Sequence, residues 1–255
     1  MNLQEIQSKI ENAKALDFGN LFNNSVELFK KSWLYGFLFQ LFLLVLMLPF
    51  FIIFYVPFIM AMIAQAQTGQ TDAEIYSEIF AGLTGLYLLI FIVGILAVAV
   101  IQLALQAGLY RIIKNIDYGQ EVKASDLFHF LKAKYFGGVT MIMIATVVVG
   151  LVAYLLCIIP IIYAVIPMSY FLVIYAFNPE MPTIDIVKAS FKLGTKKWLL
   201  SFGLFFVLYL LIVVLVIVTC GIGSLFLSPF IYLPFYLIYK EVVGFDVSSD
   251  FEITE

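Results

Sequence analysis

Charge is what this chain has least of. Of its 255 residues, 12% are Asp, Glu, Lys or Arg and 64% are hydrophobic, with a mean hydropathy of +1.07. Soluble domains carry roughly a quarter charged residues. A chain this poor in charge cannot cover its apolar surface, which excludes a water-soluble enzyme and makes lipid its main solvent. Histidine occurs once, at His129, and cysteine twice, at Cys157 and Cys220. That set makes no credible metal site. The two cysteines read as small apolar residues near the outer ends of helices, although a disulfide between them is geometrically thinkable. The first fifteen residues lack an apolar core followed by a small-residue cleavage site, so no cleavable signal peptide is expected and the first span should act as its own targeting signal.

Four stretches contain no charge at all: 32–71, 79–110, 135–179 and 198–239. About 20 apolar residues cross a bilayer, so each could hold one long helix or two short ones. Basic residues choose between these. All fourteen Lys and Arg lie before the first stretch, between the second and third, between the third and fourth, or after the fourth. The remaining loop carries Asp72, Glu74 and Glu78 and no base. Positive-inside bias makes that loop external, so the first two stretches cross an odd number of times and the last two an even number. One, one, two and two give six. Ile159-Pro160 and Cys220-Gly221-Ile222-Gly223 supply the turns. The predicted fold is therefore an all-α polytopic bundle forming a single membrane domain over 1–244. Its spans are at about 34–62, 80–110, 136–158, 161–177, 199–219 and 225–240, with both termini cytoplasmic. Pro49 and Pro57 predict a kink or break in the first span. The stretch 245–255, with four acids and no base, reads as a flexible tail.

Three amphipathic helices are expected at the cytoplasmic entries, at about 17–31, 125–134 and 183–197. Before the first span Phe18, Leu21, Phe22, Ser25, Leu28 and Phe29 recur at helical spacing opposite Asn20, Asn24, Glu27 and Lys31, with Asp17 as N-cap. Before the fifth, Ile184, Val187, Phe191 and Gly194 face one way and Asp185, Lys188, Lys192 and Lys196 the other, with Thr183 as cap. Without a gap, 21–37 laid over 186–202 pairs Ser25 with Ser190, Leu28 with Leu193, Lys31 with Lys196, Trp33 with Trp198, Leu34 with Leu199 and Phe37 with Phe202. The two tryptophans thus fall on equivalent positions, and Tyr135 replaces them in a weaker third copy. Aromatics there anchor a helix at the membrane–water boundary. Lys30, Lys31, Lys188, Lys192, Lys196 and Lys197 are the candidate contacts to anionic lipid headgroups, each worth about 1 kcal/mol near the surface.

The motifs Ile159-Pro160, Asn178-Pro179, 185–190, Lys196-Lys197-Trp198 and Gly221-Ile222-Gly223 before Pro229 resemble those of poorly characterised bacterial six-helix membrane families. These are similar to the membrane domain fused to some glycerophosphodiester phosphodiesterases. The resemblance implies a helical membrane domain without an assigned activity. The amphipathic entry and acidic tail also resemble Bacteroidetes membrane proteins that often carry a beta-carotene monooxygenase label. That chemistry would need iron held by several histidines, and one histidine does not support it.

No ionisable group lies inside a predicted span, which disfavours proton relays, ion-coupled carriers and voltage sensors. The paired aspartates, Ser/His pair or zinc helix of membrane proteases are missing. Gly221-Ile222-Gly223 is a turn and not a dinucleotide loop, since no strand–loop–helix unit follows. A net charge of −3, with basic loops already explained by topology, argues against nucleic acid. The intramembrane polar groups are Gln40, Gln102 and Gln106, the last two one turn apart, suited to interhelical hydrogen bonds or a narrow polar path. Ala104 and Gly108 would allow close helix approach.

The expected function is non-enzymatic and uses no cofactor or metal: a structural or accessory module of a bacterial inner membrane, contacting lipids, a membrane partner or itself. An ion-independent carrier of a lipidic or uncharged small molecule is the alternative.

Overall fold

A computed structural model describes residues 1–68, 85–156 and 158–245. The acidic outer loop, Cys157 and the tail beyond Phe245 lie outside the described residues. The described elements are helical: α1 (Leu3–Glu11), α2 (Phe18–Thr68), α3 (Gly85–Asp117), a 3₁₀ helix (Ala124–Leu131), α4 (Ala133–Leu155), α5 (Ile158–Phe177), α6 (Thr183–Lys196), α7 (Trp198–Val218), α8 (Ser224–Leu227), a second 3₁₀ helix (Ser228–Tyr232) and α9 (Leu233–Val242). Five helical stretches are long and apolar enough to cross a membrane: Phe18–Ile52, Phe91–Asp117, Ala133–Leu155, Pro160–Phe177 and Trp198–Val218.

The first expected boundary is absent. The entry helix and first span form one continuous helix, α2, which also runs past Pro49 and Pro57 to Thr68. Nothing between Lys31 and Trp33 disfavours helix, and the Ser32 hydroxyl donates to the Leu28 carbonyl one turn back. Each proline removes only one backbone donor, while an apolar surrounding holds the remaining helical bonds intact. Asp17 caps as expected, its Oδ1 accepting the Asn20 amide at 2.8 Å. Thr183 does not: it is the first helical residue of α6, and the preceding Pro182 offers no side-chain cap.

The expected amphipathic helix at 125–134 is instead 3₁₀ over Ala124–Leu131. Its two fully buried side chains, Leu127 and Phe130, are three residues apart, one turn of a 3₁₀ helix. The expected sixth span, 225–240, is divided into α8, the second 3₁₀ helix and α9. Pro229 and Pro234 each remove a donor there, and residues 233–239 are buried throughout. The turn at 219–223 falls where the glycines placed it. Cys220 and Gly221 take the left-handed conformation there, with φ of 50° and 92°.

The chain divides into two compact units, 1–40 with 103–255, and 41–102. In the smaller unit Phe50 packs edge-on against Phe91 and lies over Gly94, where a Cβ would come within 2.5 Å of the ring. In the larger unit the core gathers the ends of α3 and α5 with α9, around Tyr110, Tyr170, Tyr175, Tyr236 and Tyr239. Helix α6 packs along α5, and Gly194 admits the Pro167 backbone, which a Cβ would approach to 2.5 Å. Helix α1 covers α6 through Ile6 and Ile10, both 0% exposed.

Elsewhere the apolar residues face outward. Met141, Ile144, Val148, Leu151 and Leu155 of α4, and Phe206, Leu210, Val214 and Ile217 of α7, are exposed. Hydroxyls on these helices bond their own backbones, Thr140 to Phe136, Thr146 to Ile142 and Thr219 to Leu215. An apolar solvent demands that arrangement, because it offers no partner for an unpaired hydroxyl.

Candidate functional site

Three of the six lysines expected at headgroups are held by the N-terminal segment. Lys192 donates to the Glu11 carboxylate, Lys196 to the Glu11 carbonyl, and Lys197 to the Lys14 carbonyl at 2.6 Å. Cations at the C-terminal end of a helix complement its dipole and its unpaired carbonyls. The Lys192 hydrogen bond keeps the Glu11 carboxyl below its usual range. Lys188 pairs with Asp185 at 3.4 Å on the outer side of α6. Lys30 and Lys31 are exposed on α2. Periodicity located the lysines of α6 but misplaced its apolar face: Ile184, expected on that face, is 62% exposed, while Ile186, Ala189, Ser190 and Leu193 are buried, and α1 lies against the helix.

The boundary aromatics are placed on helix packing as well as exposure. Trp198 is partly exposed, donates to the Tyr163 carbonyl at 3.1 Å and stacks on Phe202. Trp33 is 44% exposed and lies beside Phe226. It lines a shallow notch, no larger than a water molecule, with Phe29, Ser32, Gly36, Leu109, Ile113, Pro229 and Leu233. Gly36 is required there, since a Cβ would sit 2.9 Å from Pro229. Tyr135 accepts the Tyr175 hydroxyl at its carbonyl, 2.8 Å away. Gln106 precedes the buried Tyr110 by one turn of α3; Gln40, Gln102 and Gln106 are partly exposed.

Two constellations had no sequence signature. In the first, Asp117 at the end of α3 accepts both the Tyr236 hydroxyl and the Lys240 ammonium of α9, each at 2.7 Å. Lys240 also lies over Tyr118, and Lys114 over Phe245 at 4.7 Å. Gly244, with φ of 71°, turns the chain so that Phe245 enters a box of Tyr118, Phe177, Tyr236 and Tyr239. Phe245 is therefore an anchor and not the first residue of a flexible tail.

In the second, Arg111 of α3 meets His129 of the 3₁₀ helix, Nη1 facing Nε2. The guanidinium lies 6.0 Å from the Phe130 ring centre. The imidazole is edge-on to Phe130 and tilted over Tyr135, both about 5 Å away. Burial and the charges of Arg111 and Lys132 push His129 down to about 4 from an ordinary 6.5, so near neutral pH it is uncharged and accepts the arginine proton. The unfolded chain takes up the His129 proton first as pH falls, so the contribution of this group to stability is full above about 6.5 and is lost as pH falls from 6.5 towards 4. Melting temperatures in detergent micelles at about pH 7.5 and about pH 5 should show that decline. His129→Gln, which keeps an acceptor but cannot titrate, should flatten it; an unchanged slope would refute the assignment.

The donor set does not fit the iron of a carotenoid oxygenase. The single histidine presents its Nε2 to a guanidinium, which repels a metal cation, and no group of three His, Cys, Asp or Glu gathers among the described residues. No family model, no curated protein and no solved structure matches the chain.

Proposed function

We propose that the protein is a non-catalytic integral membrane module that crosses a bacterial inner membrane six times with both termini cytoplasmic. Its basic cytoplasmic face contacts anionic lipid and a membrane partner or a second copy. The observation that carries this reading is the partition of side chains. Large apolar groups of α4 and α7 face outward, while the ion pairs and charge-assisted hydrogen bonds of Glu11 with Lys192, Asp117 with Lys240 and Arg111 with His129 lie outside those two helices.

The sixth crossing is supported by length: helical turns continue over 224–242, about 28 Å at the helical rise, enough for the hydrocarbon core. The internal repeat is supported by burial. At the same offset as the sequence match, Leu21 and Ile186, Ser25 and Ser190, Leu28 and Leu193, and Ser32 and Lys197 are all buried.

Topology is tested by accessibility. In a background without native cysteines, Asp72→Cys should react with an impermeant maleimide in sealed cells, and Gln120→Cys only after lysis. Reaction of position 120 in sealed cells overturns the orientation.

A further inference from the structure

We infer that Arg111 and His129 form an anion site that takes the phosphate group of a membrane lipid headgroup. Arg111 is the one arginine of the chain and His129 its one histidine, and the 3₁₀ helix brings them into contact. A guanidinium has five N–H donors. One is directed at His129 Nε2, and among the described residues no carboxylate forms an ion pair with Arg111.

Two other basic groups of these helix ends have carboxylate partners. Lys134 pairs with Glu180 at 3.0 Å, and Lys240 with Asp117. Asp126 lies within electrostatic reach of Arg111, but its Oδ2 accepts the Lys123 amide at 2.9 Å. Arg111 is partly buried against Phe130, and a partly desolvated cation without an anion is costly. Because His129 Nε2 accepts, its proton sits on Nδ1, on the side of the ring away from Arg111, so the imidazole orients the guanidinium and the guanidinium supplies the donors. Exposed Lys132 adds charge at the rim.

A phosphate matches this set: its oxygens accept from the planar fork in pairs and satisfy the donors left over. The site lies between the end of α3 at Asp117 and the start of α4 at Ala133, where two apolar helices emerge and headgroups would lie. The lipid source rests on the membrane reading; the phosphate chemistry does not.

The single histidine makes the test independent of any variant. Protein labelled with ¹³C-histidine, in phosphate-free dodecyl maltoside micelles, is titrated with phosphatidylglycerol, and separately with inorganic phosphate, while the imidazole resonances are followed by NMR. Phosphatidylglycerol should shift the His129 signals saturably, and Arg111→Gln should weaken the response about tenfold or more. No shift with either anion overturns the site. A shift with inorganic phosphate alone overturns the lipid as ligand. Neither result depends on which side of the membrane position 120 occupies, so failure of the topology is read separately.

Discussion

Gly108→Ala should destabilise the protein by about 3 kcal/mol or more, the upper end of what overpacking costs. The added Cβ would lie 2.2 Å from the Leu127 carbonyl oxygen, 2.8 Å from its carbon and 2.9 Å from its Cα. All three are backbone atoms, so no rotamer change relieves the overlap and the 3₁₀ helix must move off α3. Leu127 and Phe130, both 0% exposed, would lose their packing together, and His129 would be drawn away from Arg111. Gly137→Ala is the matched control. A Cβ there meets nothing within 4 Å, and alanine is favoured over glycine in a helix by about 1 kcal/mol. Thermal unfolding in micelles should therefore lower the midpoint for position 108 and leave or raise it for position 137. Equal midpoints for Gly108→Ala and the parent would disprove the close approach of the 3₁₀ helix.

The double variant Ile6→Asp with Ile10→Asp should release α1 without unfolding the rest. Both isoleucines are 0% exposed, and each buried side chain contributes roughly 1.5–3 kcal/mol. Placing two carboxylates in this fully buried apolar contact costs more than leaving them in water, which removes the reason for α1 to dock. Once it leaves, Lys192, Lys196 and Lys197 lose Glu11 and the Lys14 carbonyl. Lys197 reports the change most clearly: it is 8% exposed, and burial holds its ammonium below the usual lysine range. Brief amine acylation followed by mass spectrometry should show Lys197 protected in the parent and reactive in the variant, with Lys240, bound to Asp117, unchanged. Continued protection of Lys197 would show that α1 is not what covers it.

Much of this was legible in the sequence where the cause is local. Asp17 is followed by a helix-forming run and needs only its own side chain to cap it. Cys220-Gly221-Ile222-Gly223 is a turn because Gly221 tolerates a left-handed conformation. The burial of Leu21, Ser25 and Leu28 follows their spacing. The lysines of α6 were found by the same periodicity. What covers them was not, because α1 reads as an isolated polar segment and its apolar pair, Ile6 and Ile10, acquires meaning only against α6. The 3₁₀ helix was missed for a related reason. Over eight residues the hydrophobic pattern fits periods of three and 3.6 alike, and the choice is made by the bare Gly108 backbone, which accepts a carbonyl and not a helix face.

Scarcity of charge and its placement were enough, without coordinates, to require lipid-facing helices and to exclude soluble enzymology, because transfer free energies act on each residue independently of its neighbours in space. Tertiary structure decided which charges meet. Arg111 with His129, Asp117 with Lys240, and Glu11 with Lys192 join residues 18, 123 and 181 positions apart. Such encounters depend on how helix ends are brought together, and that is settled by packing around Gly108, Gly194 and the buried tyrosines and not by any local pattern.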